Sequence, residues 1–119
     1  MKKLNIYTIE PIPGNAKITA SNLTSRRSGE AVRNQFCIRT GTGHRTIFQS
    51  YKTVCLVWDT CEKVLTVYPE AFNYSVTTSK YSRYFLEDEC GWTSDEVDEL
   101  RKLEKAESYG RDCPLYIKK

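Results

Sequence analysis

Hydrophobic and polar residues alternate at every second position along much of the first half of the chain, which is typical of half-buried β-strands. Strands are predicted at Leu4–Ile9, Gln35–Thr40, Arg45–Ser50, Lys52–Asp59 and Lys63–Tyr68. Their β-branched and aromatic residues and the short separators between them indicate an antiparallel meander. Nearly every residue from Val54 to Trp58 is apolar, which predicts a central strand that is covered on both faces.

The segment between the first two of these strands carries a weaker signal. Lys17–Ala20 is compatible with a further short strand, whereas Ser21–Gly29 is polar and basic and is predicted to be a loop. The glycines Gly41 and Gly43 predict a tight hairpin turn, because glycine adopts the positive φ angles that such turns require.

A first helix is predicted at Thr78–Glu89, after the strands. Its aromatic residues Tyr81, Tyr84 and Phe85 have the three- and four-residue spacing of one helical face. Gly91 follows directly and is expected to end this helix, since glycine is the preferred residue just beyond a helix C-terminus.

A second helix is predicted to begin at Thr93, where Thr93 and Glu96 have the spacing of a capping box. Trp92 precedes the cap and is expected to pack on Val97, and Gly110 is expected to end the helix. The pattern therefore predicts an α+β fold in which an antiparallel β-meander of about four to five strands is covered by two C-terminal helices. The length of 119 residues fits a single domain spanning residues 1–119.

Charge is distributed unequally between the two halves of the chain. Residues 1–60 contain nine Lys or Arg and three Asp or Glu, a balance of +6, whereas residues 61–119 contain nine and twelve, a balance of −3. Seven carboxylates, here called the acidic cluster, follow one another with no Lys or Arg among them: Glu87, Asp88, Glu89, Asp95, Glu96, Asp98 and Glu99. The cluster is interpreted either as a solvated acidic surface or as a docking surface for a cationic groove of a partner protein.

The sequence offers few residues for catalysis. The single histidine, His44, lies in a glycine-flanked hairpin, and Cys37 and Cys55 fall in strand patterns where cysteine is usually a buried structural residue. No apolar pocket is evident around the acidic cluster to raise the pKa of one carboxylate above that of another. We therefore expect that the protein is not an enzyme.

Three further cysteines suggest a structural metal site. Cys61, Cys90 and Cys113 are predicted to lie in turns or at helix ends, and His44 would supply a fourth ligand for tetrahedral zinc. Such a zinc ion would tie the residues after Gly110 to the rest of the fold. Unpaired surface thiols are the alternative interpretation, because no two cysteines have the C-x-x-C spacing of a zinc knuckle.

Basic residues of the first half suggest a different class of partner. Six of them would contact a phosphate backbone, with Phe48 and Tyr51 as stacking platforms for bases. These six are Lys17, Arg26, Arg27, Arg33, Arg39 and Arg45. The sequence shows neither a recognition helix nor an RNA-binding aromatic signature. A small nucleic-acid-binding accessory protein is accordingly the alternative function.

Cysteine number and the N-terminal residues predict the compartment. The five cysteines are an odd number, which favours reduced thiols over a disulfide framework. The first residues do not have the apolar segment of a signal peptide, and no stretch has the apolar length of a membrane helix. We therefore expect a cytoplasmic protein without membrane contact.

Two short motifs are Phe48-Gln49-Ser50-Tyr51 and Asn73-Tyr74-Ser75-Val76-Thr77-Thr78-Ser79-Lys80-Tyr81, the second being followed by Phe85-Leu86. They resemble a family of small proteins that are encoded by bacteriophages and mobile elements and carry no assigned activity. The resemblance covers roughly residues 35–86. It implies a few strands that lead into a helix, in agreement with the pattern of hydrophobic residues.

In size and charge pattern the chain is also similar to anti-CRISPR proteins. This similarity implies a non-enzymatic inhibitor that works in the cytoplasm of a bacterial host cell and binds a host defence protein. A type II CRISPR effector nuclease is the candidate partner. Such nucleases have cationic channels for nucleic acid, which the acidic cluster would complement.

Overall fold

The structure is a computed structural model, which describes residues 1–9, 11–12, 14, 16–41, 44–107 and 112–119. Within these ranges the fold is α+β, as predicted, with seven strands and three α-helices. The strands are β1 (Lys2–Leu4), β2 (Ile18–Thr24), β3 (Ala31–Thr40), β4 (Arg45–Ser50), β5 (Thr53–Asp59), β6 (Val64–Val67) and β7 (Leu115–Lys118). The helices are α1 (Glu70–Asn73), α2 (Val76–Tyr84) and α3 (Ser94–Glu107), and a π-helical segment, Phe85–Glu89, continues α2.

All described strands belong to one antiparallel sheet in the order β1-β7-β6-β5-β4-β3-β2. Strands β3 to β6 form the meander that the sequence predicts, and β2 extends it. The helices follow the meander in the C-terminal part of the chain, as predicted, although β7 comes after them. The described strands exceed the predicted four to five, and the three described α-helices exceed the predicted two. None of the described helices has the length and apolar character needed to cross a membrane.

Strand β7 was missed because its alternation of buried and half-buried residues covers only four positions. It inserts between β1 and β6, and its Leu115 and Ile117 side chains are buried in the core. The C-terminal segment is therefore held by backbone pairing on both sides and by two core residues. The mechanical reason for a zinc clamp on this segment thus disappears, although zinc binding itself stays a prediction.

The predicted strand Leu4–Ile9 is wrong beyond Leu4, where β1 ends. The Tyr7 ring packs on Tyr116 with ring centroids 5.7 Å apart, and its hydroxyl donates a 2.8 Å hydrogen bond to Asp59 Oδ2. Neighbours of Tyr116 in β7 face the helices, so Tyr116 itself points to the opposite face of the sheet. Residues 5–9 therefore cross the face of the sheet that the helices leave open, from the β1 edge as far as Asp59 of β5.

The predicted loop Ser21–Gly29 is wrong in its first part, because β2 continues to Thr24. Five of the seven residues of β2, Thr19 to Asn22 and Thr24, are polar or small and exposed, which removes the alternation that identifies a strand. The remainder is a turn, as predicted. Ser25 accepts the Gly29 N–H through its carbonyl oxygen at 2.7 Å, and Gly29 has the positive φ of 73° that closes the turn.

Helix α2 begins at Val76, two residues before the predicted Thr78, because the Ser75 side chain accepts the Thr78 N–H and caps the helix. Its last turn widens into the π-helical segment. Gly91 follows with a positive φ of 73°, as expected for a residue that ends a helix. Buried side chains of this element complete the core: the Phe85 ring stacks on Phe48 of β4, with centroids 5.6 Å apart.

The capping box of α3 is confirmed. The Thr93 N–H donates to Glu96 Oε1 at 2.9 Å, and the Glu96 N–H donates to Thr93 Oγ1 at 3.2 Å. Trp92 and Val97 are both buried in the core, which agrees with the predicted packing at this helix start. Gly43 and Gly110, at which a hairpin turn and a helix end are predicted, lie outside the described residues.

Candidate functional site

The structure brings the acidic cluster together at the joint between the π-helical segment and α3. Glu87, Asp88 and Glu89 lie in the π-helical segment, and the other four members lie on the first two turns of α3. Basic groups from distant parts of the chain reach into this joint. The cluster is therefore a surface shared by several elements and not the solvated side of one helix.

Two arginines of the basic first half pair with the cluster. Arg26 Nη2 lies 2.8 Å from Glu87 Oε1 and 2.8 Å from Asp88 Oδ1, and the Arg26 guanidinium stacks 3.8 Å from the Tyr84 ring centroid. Arg39 pairs with Glu89 in the same way. The opposite charges of the two halves of the sequence thus meet within the molecule, which reduces the acidic charge available to a partner.

Three further cations complete the pairing. Arg83 binds both Glu87 and Asp98, at 3.0 and 2.9 Å. The Lys119 Nζ atom lies 3.1 Å from Glu96, and the N-terminal amine of Met1 lies 3.3 Å from Glu99. Within the described residues, Asp95 is the one member of the acidic cluster without an ion pair.

Exposure divides the acidic cluster into two parts. The side chains of Glu87, Glu89 and Glu96 are 12%, 30% and 32% exposed and that of Asp88 is 46% exposed, whereas those of Asp98 and Glu99 are 57% and 58% exposed. Asp95 is also exposed and shares one helical face with Asp98 and Glu99. We call Asp95, Asp98 and Glu99 the exposed acidic row.

The less exposed glutamates serve the fold. Burial opposes the ionisation of Glu87, but hydrogen bonds from Arg26 and Ser94 and the charge of Arg83 hold its pKa below the ordinary value. The pKa of Glu96 is also lowered, first by the Thr93 N–H that it accepts in the capping box. These two carboxylates stabilise the helix joint in their charged form, so the exposed acidic row is the part of the cluster that a partner would meet first.

The four predicted zinc ligands are not brought together at one point in the fold. Cys61 and His44 line one cavity, Cys113 lies near the opposite end of β7, and Cys90 packs against the core. Burial raises the pKa of the Cys90 thiol, which favours the neutral form over the thiolate that zinc requires. No three His, Cys, Asp or Glu side chains of the described ranges are grouped as metal ligands would be. The zinc site stays a prediction that elemental analysis of the untagged protein tests.

A cavity of about 500 Å³ lies beside the segment that crosses the open face. Its polar lining includes Tyr7, His44, Arg45 and Asp59. Burial and the hydrogen bond to Asp59 raise the pKa of Tyr7 to about 12, so its hydroxyl stays protonated near neutral pH. Burial opposes the ionisation of Asp59, yet backbone N–H groups and Tyr7 lower its pKa, and it stays charged. This pair fixes the crossing segment to the sheet.

The two cysteines considered as nucleophiles, Cys37 and Cys55, do not line this cavity. Cys37 and Cys55 are buried in the core between the sheet and the helices, whereas His44 is exposed. Burial raises the pKa of each of these thiols to about 11. Both cysteines are therefore protonated near neutral pH, as structural cysteines are.

The basic residues proposed to follow a phosphate backbone do not act as one set. Arg26 and Arg39 are engaged with the acidic cluster, while Lys17, Arg27 and Arg33 are exposed near β2. Phe48, expected as a stacking platform, is fully buried against Phe85 and is not accessible to a base. That part of the nucleic-acid interpretation is wrong.

The two motifs that carry the resemblance meet in space. Thr78 Oγ1 lies within hydrogen-bond distance of Ser50 Oγ, at 3.1 Å, and of Ser75 Oγ, at 3.0 Å. Beside this buried contact, three apolar residues are exposed, which we call the apolar end: Tyr51, Tyr74 and Val76. Tyr51 and Tyr74 line one small cavity of about 50 Å³.

Sequence reasoning missed the apolar end because its residues look like core residues. Tyr51 ends a strand pattern, and Val76 begins a helix pattern, but they are 58% and 87% exposed. Tyr51 has a positive φ of 55°, which turns its side chain away from the strand direction. The one available signal was the Ser75 cap, which places Val76 at the first helical position.

Comparison of the chain with protein-family models, with curated proteins and with solved structures finds no match.

Proposed function

We propose that the chain is a non-enzymatic inhibitor that binds a bacterial host defence protein, such as a type II CRISPR effector nuclease. The observation that carries this proposal is the exposed acidic row on α3, whose Asp98 and Glu99 side chains are more than half exposed. Proteins that bind nucleic acid have cationic grooves. An acidic surface is attracted to such a groove, and the attraction orients the two proteins as they approach each other.

Charge complementarity raises the rate of association more than it raises affinity, so a stable complex needs an apolar contact as well. The apolar end supplies this contact, because tyrosines that a partner buries on binding are among the residues that contribute most to protein–protein affinity. Isolated exposed apolar residues are ordinary, but here three of them lie beside one buried hydrogen-bonded contact, and two of these, Tyr51 and Tyr74, line one small cavity.

The two surfaces are close enough for one partner. Helix α3 has 14 residues and is about 21 Å long, with the exposed acidic row at its start. Near its end, Glu104 accepts a 2.7 Å hydrogen bond from Asn73, the neighbour of Tyr74 at the apolar end. An ordinary interface buries about 800 Å² on each partner, which is about 30 Å across and spans this distance.

The test is a pull-down from a bacterial lysate with three forms of the protein. In the acidic-row variant, Asp95, Asp98 and Glu99 are changed to Lys, while Glu96 is kept because it caps α3. In the apolar-end variant, Tyr51 and Tyr74 are changed to Ser. We expect the unchanged protein to recover one defence protein and each variant to recover about tenfold less of it, since a hot-spot loss of ~1.4 kcal/mol has that effect.

Matched controls exclude a general effect of surface change. Ile6→Ser removes an apolar side chain that is 86% exposed outside the apolar end, and Lys102→Gln changes a charge on α3 outside the acidic row. Both controls are expected to recover the partner in full. Equal recovery by the two variants and by the unchanged protein would contradict the proposal.

A further inference from the structure

The two edges of the sheet differ in how they are protected. An edge strand has unpaired backbone N–H and C=O groups, and proteins shield them with short strands, lysines or prolines. Strand β1 has three residues, two of which are Lys2 and Lys3. Strand β2 has seven residues, none of which is charged or proline. Apart from a register shift between Asn22 and Thr24, the β2 edge has no such protection among the residues that the structure describes.

The side chains of β2 leave room for a further strand. Thr19, Ala20 and Ser21 are small and exposed. On the open face, Ala20 is paired with Ile38, which is paired with Ile47, so an apolar row runs outwards and stops at the edge. An added strand with an apolar residue opposite Ala20 would extend this row, in the way that cross-strand pairs stabilise sheets.

Charge at the two ends of β2 indicates what kind of strand fits. Lys17 precedes the strand, and Arg27 and Arg33 follow it; all three are exposed. The exposed Glu30 lies between the two arginines in sequence, so these three residues leave an excess of one positive charge at that end of β2. In the described part of the chain none of the three cations forms an ion pair, in contrast to Arg26 and Arg39. A second copy paired along β2 would add its own cations to this surface. A strand flanked by carboxylates would neutralise the cations instead.

We propose that the free edge of β2 binds an extended segment of a partner protein by strand addition, and that this segment carries carboxylates on both sides of an alternating apolar sequence. Backbone hydrogen bonds supply the affinity in this mode, and the flanking charges supply the choice of partner. The site is separate from the exposed acidic row and from the apolar end, so it stands or falls independently of the function proposed above.

The experiment uses the whole protein labelled with ¹⁵N and two synthetic peptides. Both peptides contain the same alternating valine and threonine residues, flanked by aspartates in one and by lysines in the other. Titration with the aspartate peptide is expected to shift the amide signals of residues 18–24 in a saturable manner. The lysine peptide is expected to bind about tenfold more weakly, and added salt is expected to lower the affinity of the protein for the aspartate peptide.

Variants identify the contact. Successive N–H groups of an antiparallel strand point alternately to its two sides, so one of Thr19→Pro and Ala20→Pro removes an N–H that faces the free edge. That variant is expected to keep its fold and lose the peptide. Changing Arg27 and Arg33 to Glu, at exposed positions, is expected to weaken aspartate-peptide binding about tenfold while the spectrum stays that of a folded protein.

Three results would overturn the inference. The first is an absence of shifts in residues 18–24 with the aspartate peptide. The second is equal binding of both peptides. The third is a shift of the same amides when the protein alone is concentrated, because the occupant of the edge would then be a second copy of the chain.

Discussion

The acidic cluster and the apolar end are two conspicuous surfaces of the molecule, and they differ in how far their side chains already have partners within the chain. Six of the seven carboxylates pair with cations that come from both halves of the chain, within the described residues. The tyrosines of the apolar end stay 58% and 72% exposed. An excess of charge in a sequence is therefore a poor measure of charge offered to a partner, whereas exposed aromatic residues can only be recognised once the fold is known.

The largest expected difference between the two surfaces is in stability. Beneath the acidic cluster, Trp92 packs edge-on against Trp58, with centroids 5.4 Å apart, and is 3% exposed. Trp92→Ala is expected to lower the free energy of unfolding by about 3–5 kcal/mol, because it leaves a core cavity. Tyr74→Ala, at the apolar end, is expected to change it by no more than about 0.5 kcal/mol. Urea unfolding measures both, and similar losses would mean that the apolar end is part of the core.

The next effect concerns the start of α3. Thr93→Ala removes the acceptor of the Glu96 N–H and is expected to lower the free energy of unfolding by about 1 kcal/mol. Thr93→Ser keeps a hydroxyl at this position and is the matched control. If the serine variant loses as much stability as the alanine variant, the hydroxyl cap does not hold this joint.

A smaller effect is expected from the pairs of Arg26. Arg26→Gln leaves Glu87 and Asp88 without this partner and is expected to lower the free energy of unfolding by about 0.5–1 kcal/mol, because the arginine is 41% exposed and partly screened by water. Arg27→Gln, one residue further, is the control and is expected to have no measurable effect. The difference between the two variants should shrink at high salt. A difference that does not depend on salt would point to packing on Tyr84 instead of charge.

The smallest effect is a dependence on pH. The pKa values of Glu87 and Glu96 are lowered in the folded state, so their contribution is fully present above the ordinary value of 4.5 and is lost as the pH falls through the lowered value. Urea midpoints of the unchanged protein are expected to fall on acidification below this value. In Arg26→Gln the fall should be shallower, because one cause of the lowered Glu87 pKa is gone. An equally steep fall would show that Arg26 does not stabilise the charged carboxylate.

Elements with local signals were predictable from the sequence, and elements that depend on distant partners were not. The start of α3 was predictable because Thr93 and Glu96 satisfy each other's backbone groups within one turn. Strand β7 was not, because four residues carry too little pattern and their pairing partners lie in β1 and β6. The end of β2 was not, because a strand exposed on both faces has no alternation.

The same distinction holds for the candidate site. The acidic cluster is contiguous in the sequence and was predicted as a group, but its pairing with Arg26 bridges about sixty residues and appears only in the fold. The apolar end combines a strand end and a helix start that are unrelated in sequence pattern. Predicting it would have required knowing that Ser50 and Thr78 meet.

The most direct test of the proposed function is DNA cleavage by a purified type II CRISPR effector nuclease with its guide RNA, in the presence of increasing amounts of this protein. The account predicts that cleavage falls as the protein reaches the concentration of the nuclease, that Ile6→Ser inhibits equally, and that the acidic-row and apolar-end variants inhibit about tenfold less. Cleavage that is unchanged by a large excess of the folded protein would contradict the proposed inhibition of this class of nuclease.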